Sequence, residues 1–351
     1  MALTPPAPAG TPYHRMAAVA GHAWWRPIMG TLLLVALYVG LLLAVLLPPV
    51  LVVSLVPAVD QLLPGPVWET VGMLISLALI IPAVLLAARI VQRRRVGTVS
   101  SVRGRLRWGW LWRCLAVAAP AVILTVTIVT GIEVTHGTME LSREGITGGD
   151  WVGWPGFLTG AGFVLLLVPL QAAAEEYFAR GWILQTFGAY LRTPWPGIVA
   201  GATVFALLHG LSELSGFVGL MWFGVMFGWL AVRTGGLEAG IAYHTVNNVI
   251  GFLVIAAFGG LGSAGDSTAA DAPWSLPLVE AVVLPLYALC VLRWHRRRGY
   301  DRLAPAPESF AVRASTTSPH RGGSLAFGQP GAAAMASSDF PQGSGSRPPQ
   351  P

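Results

Sequence analysis

The chain has no lysine, so all 22 of its Lys+Arg positions are arginine. Charge of either sign is scarce, at 11% of 351 residues against 54% hydrophobic residues, and the mean hydropathy is +0.64. Ordinary soluble domains carry about 25% charged residues, so a soluble globular protein is excluded. Only two cysteines occur, Cys114 and Cys290, which leaves neither a disulfide framework nor a cysteine-based zinc site. Both are read as small apolar filler, the usual state of a free cysteine. The first 26 residues hold no short apolar core followed by a small-residue cleavage site, so no removable signal peptide is expected.

What the chain does have is apolar runs of about 20 residues, the length that spans a bilayer. Eight are expected, near 28–57, 67–91, 109–132, 151–172, 196–212, 215–232, 237–258 and 274–292. The fold class is therefore all-α, a polytopic bundle of about eight transmembrane helices. The net charge of +6 does not point to nucleic acid, because the arginines sit beside the apolar runs. Residues 89–113 hold eight arginines and no acid, whereas 133–150 hold Glu133, Glu140, Glu144 and Asp150 against Arg143 alone. By the positive-inside rule the first loop is cytoplasmic and the second external. Eight crossings then leave both termini in the cytoplasm, in a cell membrane that the composition suggests is bacterial plasma membrane.

The expected organisation is a cytoplasmic segment over 1–27, helices 1–3 over 28–134, a core over 150–260 with helices 4–7, helix 8 over 274–292, and a disordered tail over 303–351. The tail is Pro-, Gly-, Ser- and Ala-rich with little apolar periodicity, a composition that buries too little to fold. Gly156/Gly160, Gly197/Gly201, Gly224/Gly228 and Gly236/Gly240 place small residues four apart, a spacing that lets membrane helices approach closely.

Polar residues interrupt these runs at three places. Glu175 and Glu176 follow Phe163–Leu170, and Arg180 lies four residues beyond Glu176. On a helix Glu176 and Arg180 share a face and can pair, while Glu175 points about 100° away. His209 ends Phe205-Ala-Leu-Leu-His, and His244 and Asn248 stand four apart in His-Thr-Val-Asn-Asn. Ionisable groups at such depth are costly and mark function by default. The bland alternative is a polar knot that pins helices together, and Asn247 competes with Asn248 for any role.

Glu-Glu-x-x-x-Arg, Phe-x-x-x-His and His-x-x-x-Asn, in that order on separate apolar segments, resemble the CPBP intramembrane proteases, also called the type II CAAX prenyl endopeptidase-like or Abi family. The resemblance covers about residues 150–260. It implies an intramembrane endopeptidase that hydrolyses membrane-associated or lipidated peptides. It further implies that Glu175 is the general base, that His209 holds the same water, and that His244 and Asn248 face the oxyanion, with Glu176 and Arg180 in support. The lipid bilayer and a membrane-associated peptide or protein are the implied partners. The family is often labelled metalloprotease, so a divalent metal such as zinc, on Glu175, His209 and His244, stays open. His-Glu-x-x-His is absent, and a metal-free glutamate mechanism is preferred. The alternative is a non-catalytic protein, transporter-like or a bacteriocin-immunity scaffold, that uses the same cluster for binding or packing. Depth poses a difficulty: a helix starting at Trp151 puts Glu175 about 36 Å along, so the fourth span is expected to start near Phe157 or to tilt.

Overall fold

The structure, a computed structural model, describes residues 7–18, 23–55, 65–137, 151–258, 261 and 269–306. One compact unit is Met1–Ser309, and the second, Phe310–Pro351, lies wholly outside the described residues. The acidic residues 138–150 and the tail from 307 onward also lie outside them.

Among the described residues the regular structure is helical, with two isolated β-bridges. The helices are α1 (Arg26–Leu55), α2 (Gly65–Ala78), α3 (Ile80–Ile90), α4 (Trp108–Thr135), α5 (Gly153–Glu176), α6 (Leu184–Tyr190), α7 (Trp195–His209), α8 (Leu214–Thr234), α9 (Glu238–Phe258) and α10 (Ser275–Arg297). Among the described residues seven stretches are long and apolar enough to cross a membrane: Arg26–Val52, Val67–Ile90, Trp108–Thr135, Gly153–Tyr190, Leu214–Thr234, Glu238–Phe258 and Ser275–Arg297. The protein is thus a multi-pass membrane protein. The fifth expected span, 196–212, is instead α7, an apolar helix of only 15 residues. At about 1.5 Å per residue it covers about 22 Å, short of the roughly 30 Å hydrocarbon core.

The fourth span differs from expectation in a second way. It does not start near Phe157 but at Gly153, and it does not end at the carboxylates. Helix continues through a π-helical stretch, Tyr177–Ile183, into α6, for 38 residues in all. The residues that follow the carboxylates are thus part of this continuous helix, with Trp182, Leu184, Gln185 and Gly188 buried.

Helix α9 stands among α4, α5 and α8, while α10 packs on α4 and α8, and α7 on α8. Glycine sets these approaches. A Cβ built on Gly224 would lie 2.6 Å from the Ala202 Cβ, and one on Gly228 would lie 3.1 Å from Ile198, so α7 and α8 meet nearly backbone to backbone. On the other side of α7, a Cβ on Gly201 would lie 2.8 Å from the Ala179 carbonyl oxygen of the π-helical stretch. The main apolar core gathers α4 and α7–α10 with the N-terminal Tyr13 and Met16, and a smaller one joins Leu74, Val164, Val168, Ala256 and Leu261.

The arginine-rich segment 91–107 is more than a topogenic signal. Arg107 donates to Glu238 through Nε at 2.9 Å and Nη2 at 2.7 Å, and its own N–H caps the same carboxylate at 2.8 Å. Glu238 opens α9, so this buried fork fixes the start of the helix that carries His244. Burial is the largest single influence on Arg107 and lowers its pKa, but the charge of Glu238, its hydrogen bond and the smaller pull of Cys114 and Asp301 together raise it on balance. Arg94 is also buried but meets only neutral groups: Gln92 Oε1 at 2.6 Å, Thr98 Oγ1 at 3.1 Å and Gln185 Oε1 at 2.5 Å. With no carboxylate to offset burial, its pKa falls to about 10. Residues 303–304, placed in the tail by composition, pair with the N-terminal segment: the Ala304 N–H donates to Thr11 O at 2.9 Å.

Candidate active site

Glu175 and Glu176 fall where α5 passes into the π-helical stretch. Such stretches are rare and frequently coincide with functional sites, because the extra residue per turn re-aims neighbouring side chains. The alanines at 172 and 174 are fully buried, and their small size lets α9 come close enough for side chains to meet.

Glu176 and Arg180 pair as the spacing predicts. Arg180 Nη1 donates to Glu176 Oε1 at 2.9 Å, with both side chains almost completely buried. The guanidinium also lies over the Phe205 ring at 4.6 Å and near the Phe227 ring at 5.9 Å. An aromatic face attracts a cation, more so when both are dry. His244 reaches the same carboxylate from α9: its Nδ1–H donates to Glu176 Oε1 at 3.2 Å. One oxygen thus accepts from both Arg180 and His244, and Glu176 orients the imidazole.

With Nδ1 so engaged, His244 Nε2 faces Glu175 Oε2 at 3.4 Å. The separation exceeds that of a charge-assisted hydrogen bond, about 2.7–2.9 Å. Glu175 Oε2 is buried and accepts no hydrogen bond, while Oε1 accepts from Gln171 Nε2 at 2.6 Å. The carboxylate is pinned by one oxygen and open at the other.

A chain of amides leads to that pin. Asn247 Nδ2 donates to Asn248 Oδ1 at 3.1 Å, and Asn248 Nδ2 donates to Gln171 Oε1 at 3.0 Å. Asn248 therefore orients Gln171, and Gln171 orients Glu175. Gln171, a residue to which its type and position alone assign no role, is the centre of the relay. The signal that could have found it is its spacing, one turn before Glu175 on the same face.

His209 stands apart from this set. Its Nδ1–H donates to the Phe205 carbonyl of its own helix at 2.8 Å, which leaves Nε2 with the lone pair. The Phe205 ring packs on the imidazole of His209, with centroids 4.5 Å apart, and edge-on to His244 at 5.8 Å. The two histidines thus flank one phenylalanine. Among the described residues no three His, Cys, Asp or Glu side chains are grouped so as to hold a metal ion. Glu175, His209 and His244 do not fit a metal as they stand, and no step is derived through one.

All the site residues just described fall within one segment that also matches known proteins. Residues 157–250 match the family described as Type II CAAX prenyl endopeptidase Rce1-like. The match agrees with the CPBP resemblance carried by the three motifs, and the chain contains a CAAX-protease-like domain. A protein of Bacillus subtilis (strain 168), described as uncharacterized protein YyaK, is 26% identical over 293 residues, covering 78% of this chain and 93% of that one. No solved structure matches the chain.

Proposed function

We propose that the chain is an intramembrane endopeptidase that cleaves membrane-associated or lipidated peptides with a glutamate-activated water. One observation carries this: Glu175 Oε2 is buried and without a hydrogen bond, while its partner oxygen is fixed by Gln171. A water against Oε2 would give a proton to Glu175 as its oxygen attacks the scissile carbonyl. Glu175 then returns that proton to the leaving amine, so the carboxylate is regenerated. His244 Nε2, 3.4 Å from the same oxygen, steadies the carboxylate and, when protonated, the oxyanion. His209, which packs on Phe205, is proposed to turn toward this water as its second holder. The family that residues 157–250 match is one of prenyl endopeptidases, which supports a lipidated peptide as the substrate class. The proposed location is a bacterial plasma membrane, with both termini in the cytoplasm.

The competing role is a non-catalytic scaffold or transporter-like protein. It is favoured by how fully Glu176, Arg180, Gln171, Asn248 and His244 satisfy one another. Terminal proteomics of membranes carrying wild type or Glu175→Gln separates the two. New peptide termini present with wild type and missing with Glu175→Gln are expected. Identical termini in both would remove the protease assignment and leave the scaffold.

A further inference from the structure

At the end of the bundle where α8 and α10 finish there is a cavity of about 190 Å³ lined by Arg233, Arg296, Arg302, His295, Tyr300 and Leu292 among others. Liquid water occupies on the order of 30 Å³ per molecule, so a phosphate group with part of its ester chain fits the space. Three arginines line it, and among the described residues none of them forms a salt bridge. The two nearby acids are already engaged. Asp301 pairs with Arg103, and Glu238 with Arg107. Like charges around one cavity repel, and among the described residues no acid offsets them; the Arg233 guanidinium lies over the Trp229 ring at 5.6 Å.

The walls are fixed. His295 Nε2–H donates to Thr234 O at 3.0 Å, and Arg107 Nη1 donates to both Thr234 O and Asp301 O at 3.0 Å. The Tyr300 hydroxyl accepts from Arg113 Nη1 at 2.6 Å, and its ring packs on Trp110 at 4.8 Å. Basic residues at helix C-termini also complement the helix dipole. That accounts for Arg233 and Arg296 on their own helices, but not for Arg302, which lies beyond any helix, or for the convergence of all three. Leu292 and the Tyr300 ring give the cavity an apolar side next to its cationic one.

We propose that this cavity binds the phosphate of an anionic phospholipid headgroup, held by Arg233, Arg296 and Arg302. Basic pockets between membrane helices are suited to such headgroups, and guanidinium is the group that matches phosphate geometry. The site lies at the same end as the arginine-rich segment 91–107, and the bound lipid would tie the ends of α8 and α10 together. A free phosphate offers the same chemistry, so the test must tell the two apart.

The full chain, purified in detergent and delipidated, is titrated with phosphatidylglycerol, phosphatidylcholine or inorganic phosphate. Retained lipid is read by native mass spectrometry and stabilisation by thermal shift. Wild type is expected to retain phosphatidylglycerol over phosphatidylcholine, and the complex to survive millimolar inorganic phosphate. Arg233→Gln/Arg296→Gln/Arg302→Gln should bind at least about tenfold more weakly, the scale of one charge-assisted hydrogen bond. Arg89→Gln/Arg105→Gln/Arg192→Gln removes the same charge from exposed positions elsewhere and should bind like wild type. Stabilisation by inorganic phosphate with no preference between the lipids would assign the same arginines to a free anion instead. Equal loss in both triple variants, or no retention by wild type, would overturn the site. Arg296 and Arg302 are exposed, so their single Gln variants keep the test open if the triple variant does not fold.

Discussion

Gly240 on α9 stands directly against Glu176 on α5: a Cβ built on Gly240 would lie 2.6 Å from Glu176 Oε2. The absence of a side chain at 240 is what lets the carboxylate reach both His244 and Arg180. Gly240→Ala should therefore push Glu176 aside, destabilise the fold by about 1–3 kcal/mol as overpacking does, and lower turnover further than stability explains. Gly251 has open space around it, so Gly251→Ala serves as the control. Thermal unfolding in detergent and cleavage rate together check this, and equal behaviour of the two variants would refute it.

The Glu176–Arg180 pair is buried on both sides. Removing one partner strands a dry charge and should cost about 3–5 kcal/mol. Glu176→Gln/Arg180→Gln should cost less than the sum of the single changes. Additive losses in thermal denaturation would mean that the pair is not coupled.

Gln171 and Asn248 act in series on Glu175. Gln171→Ala frees the Glu175 carboxylate and Asn248→Ala frees Gln171, so each should lower kcat with little change in KM. The double variant should be no slower than Gln171→Ala alone, since the relay is already cut. If Asn248 is instead an independent oxyanion donor, its loss costs about 10²–10³-fold and multiplies with Gln171→Ala.

His14 anchors the N-terminal segment outside the membrane-spanning helices. Its Nε2–H donates to Arg192 O at 3.0 Å, and its buried Nδ1 has no partner. Burial lowers its pKa below 6.5, so the unfolded chain takes up a proton before the folded one does. Stability from this residue is complete above about 6.5 and is lost as pH falls through that value toward the lowered one. Melting temperature between pH 7.5 and 5.5 should fall more steeply for wild type than for His14→Gln; parallel curves would show that His14 does not contribute.

Orientation is tested by cysteine labelling in intact cells after Cys114 and Cys290 are replaced by alanine. Arg105→Cys and Phe310→Cys should be shielded from an impermeant reagent, and Ser142→Cys should react. Positions 142 and 310 lie outside the described residues, and the arginine asymmetry alone motivates the expectation. Reaction at 105 from outside would invert the topology.

The helical class and the spans are legible in the chain because apolar length maps directly onto helix length. The pairing of Glu176 with Arg180 is legible for the same kind of reason, a contact within one helix set by its pitch. What is illegible depends on neighbours distant in the chain. Gln171 matters because Asn248 lies opposite, and Arg107 because Glu238, 131 residues later, accepts its fork. Periodicity likewise carries no sign of the π-helical stretch, since an added residue in one turn leaves the apolar character unchanged. His209 shows the limit from the other side: its motif is intact, yet its contacts are with Phe205 and not with Glu175.

The brevity of α7 bears on the surrounding lipid. Its last turn and the turn that follows expose Leu207, Leu208, Leu211 and Leu214, and Gly210, at φ 104°, turns the chain just past His209. A helix about 8 Å shorter than the hydrocarbon core cannot bring both ends to ordinary headgroup level. Neighbouring lipids must draw inward around those leucines, at a cost of a fraction of a kcal/mol per Å. Such thinning beside the histidine that ends the helix would shorten the path of water into the hydrocarbon there. Membrane thickness thereby becomes a determinant of how wet this face of the protein is.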